Sequence, residues 1–124
     1  MRIVGIGVDV VEVDRVRLLL DRRPTFRERV FTPAERSYCD GKAVPARCYA
    51  ARWAAREACV KALGGVRGWR WRDIRVERAP SGAPQMALEG PARARAERLG
   101  AATVLVSFSH ESSVATAFCI AVGE

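Results

Sequence analysis

The chain has 124 residues, a formal net charge of +7, a hydrophobic fraction of 49% and a charged fraction of 28%. Such a length predicts one domain over residues 1–124 with a modest core, and so an active site at the surface or between subunits rather than a deep one. No apolar run approaches the roughly 20 residues of a membrane-spanning helix, and Asp9, Glu12 and Asp14 interrupt the N-terminus where a secretory leader would stay apolar, so a cytoplasmic protein is expected.

The basic residues are nearly all arginine, with lysine only at Lys42 and Lys61. This balance favours an anionic partner: nucleic acid, a phosphorylated ligand or an acidic protein. Residues 3–11 alternate with a period of two. Val4, Ile6, Val8 and Val10 share one face of a half-buried strand, and Gly5, Gly7 and Asp9 share the other. Two absent side chains followed by a carboxylate suggest backbone left open to a ligand. Val13, Val16, Leu19 and Leu20 predict a helix over 13–21, and a short helix through Arg29 is expected after Pro24. Thr32, Pro33 and Glu35 then have the spacing of a helix start, with Thr32 as N-cap. From Arg15 to Arg36 the chain carries seven arginines against three acids.

Asp40-Gly41 marks a turn, and the longest helix runs from about Pro45 to Leu63, closed by Gly64-Gly65. Ala51, Ala55, Ala58 and Ala62 form a small-residue face that lets this helix sit close to a sheet. Trp53, Glu57 and Lys61 form a separate stripe, with Arg52 and Arg56 beside it. Residues 73–78 and 85–89 read as two strands joined by a Pro80–Pro84 loop. A helix follows over 91–99, then strands over 103–109 and 114–122 around the loop His110-Glu111-Ser112-Ser113. The fold class expected is α+β, a mostly antiparallel sheet packed by one long helix. Cys39, Cys48, Cys59 and Cys119 contain no C-x-x-C pair, and with one histidine in the chain they make a poor zinc set; free, mostly buried thiols are expected.

Asp9 and Glu57 come from different elements and could supply the carboxylate pair that magnesium uses, with water and phosphate completing its shell. Lys61 lies one turn from Glu57, where an ammonium can meet a phosphate. Taken singly, Glu57 and Lys61 also read as an i, i+4 surface ion pair, Asp9 as a strand-end residue, Trp53 as core and His110 as a loop residue.

Taken together these residues resemble the holo-(acyl carrier protein) synthase family, the short class of 4′-phosphopantetheinyl transferases. The resemblance runs through Ile6-Gly7-Val8-Asp9, then Arg29-Val30-Phe31-Thr32 with Glu35, then the block from Arg52 to Gly64. It continues through Asp73-Ile74, Gly82-Ala83-Pro84 and Val106-Ser107-Phe108-Ser109-His110, in order and over nearly the whole chain.

The resemblance implies a phosphopantetheinyl transferase fold and a magnesium-dependent transfer of 4′-phosphopantetheine from coenzyme A to a serine of apo acyl carrier protein, yielding 3′,5′-ADP, in fatty-acid or polyketide synthesis. It implies Asp9 and Glu57 as metal ligands, Glu57 and Lys61 as the catalytic pair, and Arg52, Lys61, Gly82, Pro84 and His110 at the coenzyme A site. Arg15 would meet the acidic carrier, and a homotrimer would form its sites between subunits. Arg56 stands where the family usually has lysine, which makes it a candidate nucleotide contact, since a planar fork and a point charge are not equivalent. A nucleic-acid-binding module is the rival suggested by charge, but the tryptophans at 53, 69 and 71 lie off the arginine-rich segment and no nucleic-acid motif is present. An inactive paralogue keeping the fold is a second rival. The expected partners are therefore coenzyme A and the carrier, with no nucleic acid and no membrane.

Overall fold

A computed structural model describes all residues 1–124. The element order is β1 (Arg2–Glu12), α1 (Val13–Arg22), α2 (Phe26–Val30), α3 (Pro33–Asp40), α4 (Pro45–Ala62), β2 (Ile74–Arg78), β3 (Pro84–Leu88), α5 (Gly90–Leu99), β4 (Thr103–His110) and β5 (Val114–Gly123). The expected α+β class holds, but the strands divide. β1, β5 and β4 form one antiparallel sheet in that order, and β2 and β3 form a separate hairpin. Asp73, expected to open β2, lies instead in a short 3-10 turn, where its carboxylate accepts from the Arg70 amide at 2.9 Å. His110 closes β4 opposite Ala115 rather than lying in the loop.

α4 lies across the three-stranded sheet, and its alanine face is buried. The strands answer with small residues: Ala117, Cys119 and Ala121 on β5, Gly5 and Gly7 on β1. A Cβ at Gly5 would fall 1.9 Å from the Ala62 carbonyl oxygen, and one at Gly7 would fall 2.0 Å from that of Ala58. The glycine face of β1 is thus closed by backbone of α4, which corrects the expectation that it is left open for a ligand. The apolar face of β1 is the one left uncovered in the chain: Ile6 and Val10 are each 61% exposed. Register continues that face across the sheet, Ile6 opposite Ile120 and Val8 opposite Phe118, with Leu105 on the far side of Ile120.

Thr32 caps α3 as its spacing predicts. Its hydroxyl accepts from the Glu35 amide at 3.2 Å, and its own amide donates to Glu35 Oε1 at 2.9 Å. The same carboxylate reaches further. It is buried against the Arg56 guanidinium in a two-pronged pair and also accepts from the Val76 amide at 3.1 Å. Arg56 Nε donates to the Trp71 carbonyl at 2.9 Å. Glu35 and Arg56 therefore tie α3, α4, the 3-10 turn and β2 together from inside, and Arg56, fully buried, is a structural residue rather than the nucleotide contact considered from sequence.

The cysteines also depart from expectation. Cys39, near the end of α3, and Cys48, in the first turns of α4, form a disulfide across the intervening turn, with Cα atoms 5.3 Å apart. The short turn between α3 and α4 brings the pair together, a juxtaposition their spacing does not reveal. Cys59 on α4 and Cys119 on β5 remain free and buried. Their mutual hydrogen bond, with burial, pushes the Cys59 thiol well above the ordinary range, so it is an inert core group.

Candidate active site

α4 distributes the predicted site residues to two sides. On the first, Asp9, Val10 and Val11 of β1, Arg15 of α1, and Trp53 and Glu57 of α4 line a small cavity of about 160 Å³. Asp9 reaches it because the residue before it on the same face is Gly7, over which α4 lies. Glu57 reaches it one helical turn after Trp53. Lys61, the next turn along, donates from Nζ to Asp9 Oδ1 at 3.2 Å and to the Val8 carbonyl at 3.0 Å. The i, i+4 pair of Glu57 with Lys61 is thus not formed; Lys61 pairs with Asp9, and none of the ion pairs of the chain uses Glu57. An ammonium has three N–H donors, so Lys61, half exposed, keeps one for a further acceptor. The Arg15 guanidinium stacks over the Trp53 ring at 5.6 Å, at the edge of the same cavity.

The second side is a cationic cavity of about 360 Å³ that Arg52 and His110 share. Arg52 is buried, stacked between Tyr38 at 4.6 Å and Phe108 at 5.5 Å, and donates from Nη1 to Cys48 Sγ at 3.2 Å. Its Nε, also buried, has no hydrogen-bond partner. Burial pulls this guanidinium below the usual arginine range. Lys42, Arg47 and Arg78 also line the cavity, and no carboxylate does. Tyr38 lies among these cations. A hydrogen bond from Lys42, with the charges of Arg78, Lys42 and Arg52, holds its hydroxyl below the usual tyrosine range against the opposing pull of burial. Sequence reading missed Tyr38, Lys42, Arg47 and Arg78. The signal available was the pair of lysines in an arginine-dominated chain, since Lys42 lines the cationic cavity and Lys61 bonds Asp9 of the other.

Gly82 and Pro84 line neither cavity. Gly82 sits in the β2–β3 turn with φ +90°, a conformation that favours glycine, and its carbonyl accepts from Arg78 Nη1 at 2.5 Å. Arg78 in turn lies 4.2 Å from the Tyr38 ring centre, so the turn is joined to the cationic cavity through one side chain.

Chemically, the first cavity offers two hard oxygen donors from different elements and an ammonium, and the second offers concentrated positive charge with apolar walls. The first suits a divalent cation that takes one or two carboxylates and fills its shell with water and phosphate oxygens. The second suits a phosphorylated ligand with an aromatic or aliphatic body.

Comparison with known proteins gives the family. Residues 5–119 match the model of the 4′-phosphopantetheinyl transferase superfamily, and the chain belongs to that family. Among its relatives is the holo-[acyl-carrier-protein] synthase of Anaeromyxobacter sp. (strain K), 50% identical over 98% of this chain and 97% of the relative. Among solved structures, the Helicobacter pylori holo-[acyl-carrier-protein] synthase in complex with coenzyme A superposes with a TM-score of 0.80 at 28% identity, covering 94% of this chain and 99% of that one. The Bacillus anthracis str. Ames holo-(acyl-carrier-protein) synthase, in complex with CoA (3′,5′-ADP), gives 0.79 at 30% identity over the full length of both chains.

Proposed function

We infer that the chain transfers the 4′-phosphopantetheine arm of coenzyme A to a serine of an apo acyl carrier protein and releases 3′,5′-ADP, the activity its relatives are named for. The observation that carries this reading is the meeting of Asp9 and Glu57 at one cavity, with Lys61 bonded to Asp9, in a chain of this family.

Asp9 and Glu57 would hold a magnesium ion, which when bound neutralises charge on the coenzyme A pyrophosphate. The serine hydroxyl attacks the phosphorus that bears the pantetheine. One P–O bond forms there as the bridging P–O bond to 3′,5′-ADP breaks. Glu57, directly or through a water molecule, accepts the serine proton. Lys61 donates its third N–H to a phosphate oxygen as charge develops, while its bond to Asp9 fixes its position. Arg52 and His110, with the cations around Tyr38, would bind the phosphorylated nucleotide, and Gly82 and Pro84 would border it through the turn that Arg78 anchors.

We further propose a homotrimer with sites between subunits. Two features support it: Arg52 and Glu57 face different cavities within one chain, and the apolar sheet face of Ile6, Val8, Val10 and Phe118 is uncovered. A nucleotide held by one copy would then reach the carboxylates of its neighbour. No helix is long and apolar enough to cross a membrane, and we assign the reaction to the cytoplasm.

The test is mass spectrometry of apo carrier proteins of fatty-acid, polyketide and peptide synthetase type, incubated with the protein, coenzyme A and magnesium. Gain of one phosphopantetheine, abolished by EDTA and restored by magnesium, is expected on at least one carrier. Absence of the gain on all of them would overturn the reading.

Arg15 at the mouth of the carboxylate cavity would contact the acidic carrier as its serine enters. Charge steering of this kind weakens as salt rises. Arg15→Glu is expected to raise KM for the carrier on the order of tenfold, with KM for coenzyme A unchanged, and added salt is expected to raise the wild-type carrier KM. A carrier KM indifferent to both would remove Arg15 from the docking surface.

A further inference from the structure

We propose that Cys39 and Cys48 form a reversible dithiol–disulfide site that sets the affinity of the adjacent cationic cavity for its anionic ligand, an inference that rests on reading that cavity as the coenzyme A nucleotide site. The bond spans nine positions of sequence, and the segment it ties down carries much of the cavity wall. Lys42, Val44 and Arg47 lie between the two cysteines, Tyr38 immediately precedes Cys39, and Cys48 itself lines the cavity. Cys48 Sγ also accepts the Arg52 hydrogen bond, so the sulfur braces the most buried cation of the site. When closed, the bond holds Lys42 and Arg47 on a short tethered turn. When open, both side chains must be ordered again by the ligand, and ordering of long side chains weakens binding.

The chemistry is thiol–disulfide exchange. The thiolate of a small thiol or a protein dithiol attacks a disulfide sulfur, giving a mixed disulfide, and a second thiolate releases it. The protein gains two electrons and two protons as Cys39 and Cys48 thiols, and the reductant leaves as its disulfide. Cys39 is fully buried and does not line the cavity, so the sulfur of Cys48 is the one approached, from the cavity side. A ligand in the cavity therefore shields the bond it benefits from. Cys59 and Cys119 take no part, since both lie buried and unbonded to this pair.

The experiment measures binding of 3′,5′-ADP, the thiol-free nucleotide part of coenzyme A, by titration calorimetry on protein treated with dithiothreitol or with oxidised glutathione, the state of each sample fixed by alkylation under denaturing conditions and mass spectrometry. Two reactive thiols are expected after oxidation and four after reduction, out of the four cysteines in the chain. The oxidised protein should bind 3′,5′-ADP about fivefold more tightly. Cys39→Ser/Cys48→Ser should match the reduced wild type in both media. Because coupling is reciprocal, saturating 3′,5′-ADP should make the bond harder to reduce by about 20 mV, the same fivefold ratio for a two-electron couple. Equal affinities in the two states, or four reactive thiols after oxidised glutathione, would overturn the proposal and leave the transferase reading intact. No 3′,5′-ADP binding in either state would overturn both.

Discussion

Glu57→Gln is expected to lower kcat/KM for the apo carrier on the order of 10³-fold, about 4 kcal/mol of transition-state stabilisation, without unfolding the protein. The residue has two proposed duties, one as an oxygen donor for the cation and one as acceptor of the serine proton, and the amide performs both poorly. Its isosteric shape fills the same place on α4, and because Glu57 enters no ion pair of the chain, the exchange breaks no contact that holds the fold. Thermal midpoints of variant and wild type should agree within a few degrees. The magnesium titration supplies a second readout: half-maximal activity of the variant should need more metal. A variant within tenfold of wild type at every magnesium concentration would remove Glu57 from the chemistry and leave Asp9 and Lys61 to be explained as a strand–helix ion pair.

Arg56→Met is expected to have the largest effect on stability, a loss of about 3–5 kcal/mol, because it leaves the Glu35 carboxylate buried without its cation. For a small domain that is much of the total. Urea unfolding followed by tryptophan fluorescence would measure it, and Glu35→Gln/Arg56→Met should recover part of the loss by removing the stranded charge. Arg56→Lys should fall between, since an ammonium keeps the charge but carries all its donors on one nitrogen and lacks the planar fork with which Arg56 reaches Glu35 Oε1, Glu35 Oε2 and the Trp71 carbonyl. Below its unfolding temperature Arg56→Lys should keep the wild-type KM for coenzyme A. A raised KM with unchanged stability would return Arg56 to the nucleotide site.

The helices and strands were legible because their signals are local. Thr32 and Glu35 announce a cap, alanine spacing on α4 announces a close-packed face, and alternation announces β1 and β5. Asp9, Glu57 and Lys61 could be assembled from residue type alone, but only the family resemblance made the set specific; helical spacing joins Glu57 to Lys61, and the structure joins Lys61 to Asp9 instead. What sequence reading missed depends on long-range pairing. Glu35 shows its capping role within three residues, but its partner lies 21 residues away. Tyr38, Lys42, Arg47 and Arg78 belong to separate elements that converge only after folding. The orientation of β1 was misjudged for a related reason. A period of two separates the faces without saying which one a helix will cover, and the glycines proved to be the covered side.

Those glycines act as a gauge. With only hydrogen atoms at Gly5 and Gly7, the helix bearing Glu57 rests directly on the strand bearing Asp9, and their spacing is fixed by backbone radii instead of by side chains able to change rotamer. The gap across which two carboxylates could share one small cation is therefore machined into the main chain. Wedging a methyl group into that contact would push α4 off the strand, at Gly7 against the Cβ of Lys61 itself, and displacements of about 1 Å in such arrangements can cost on the order of a hundredfold in rate. On the proposed reading, part of the catalytic precision of this chain resides in two residues that have no side chain.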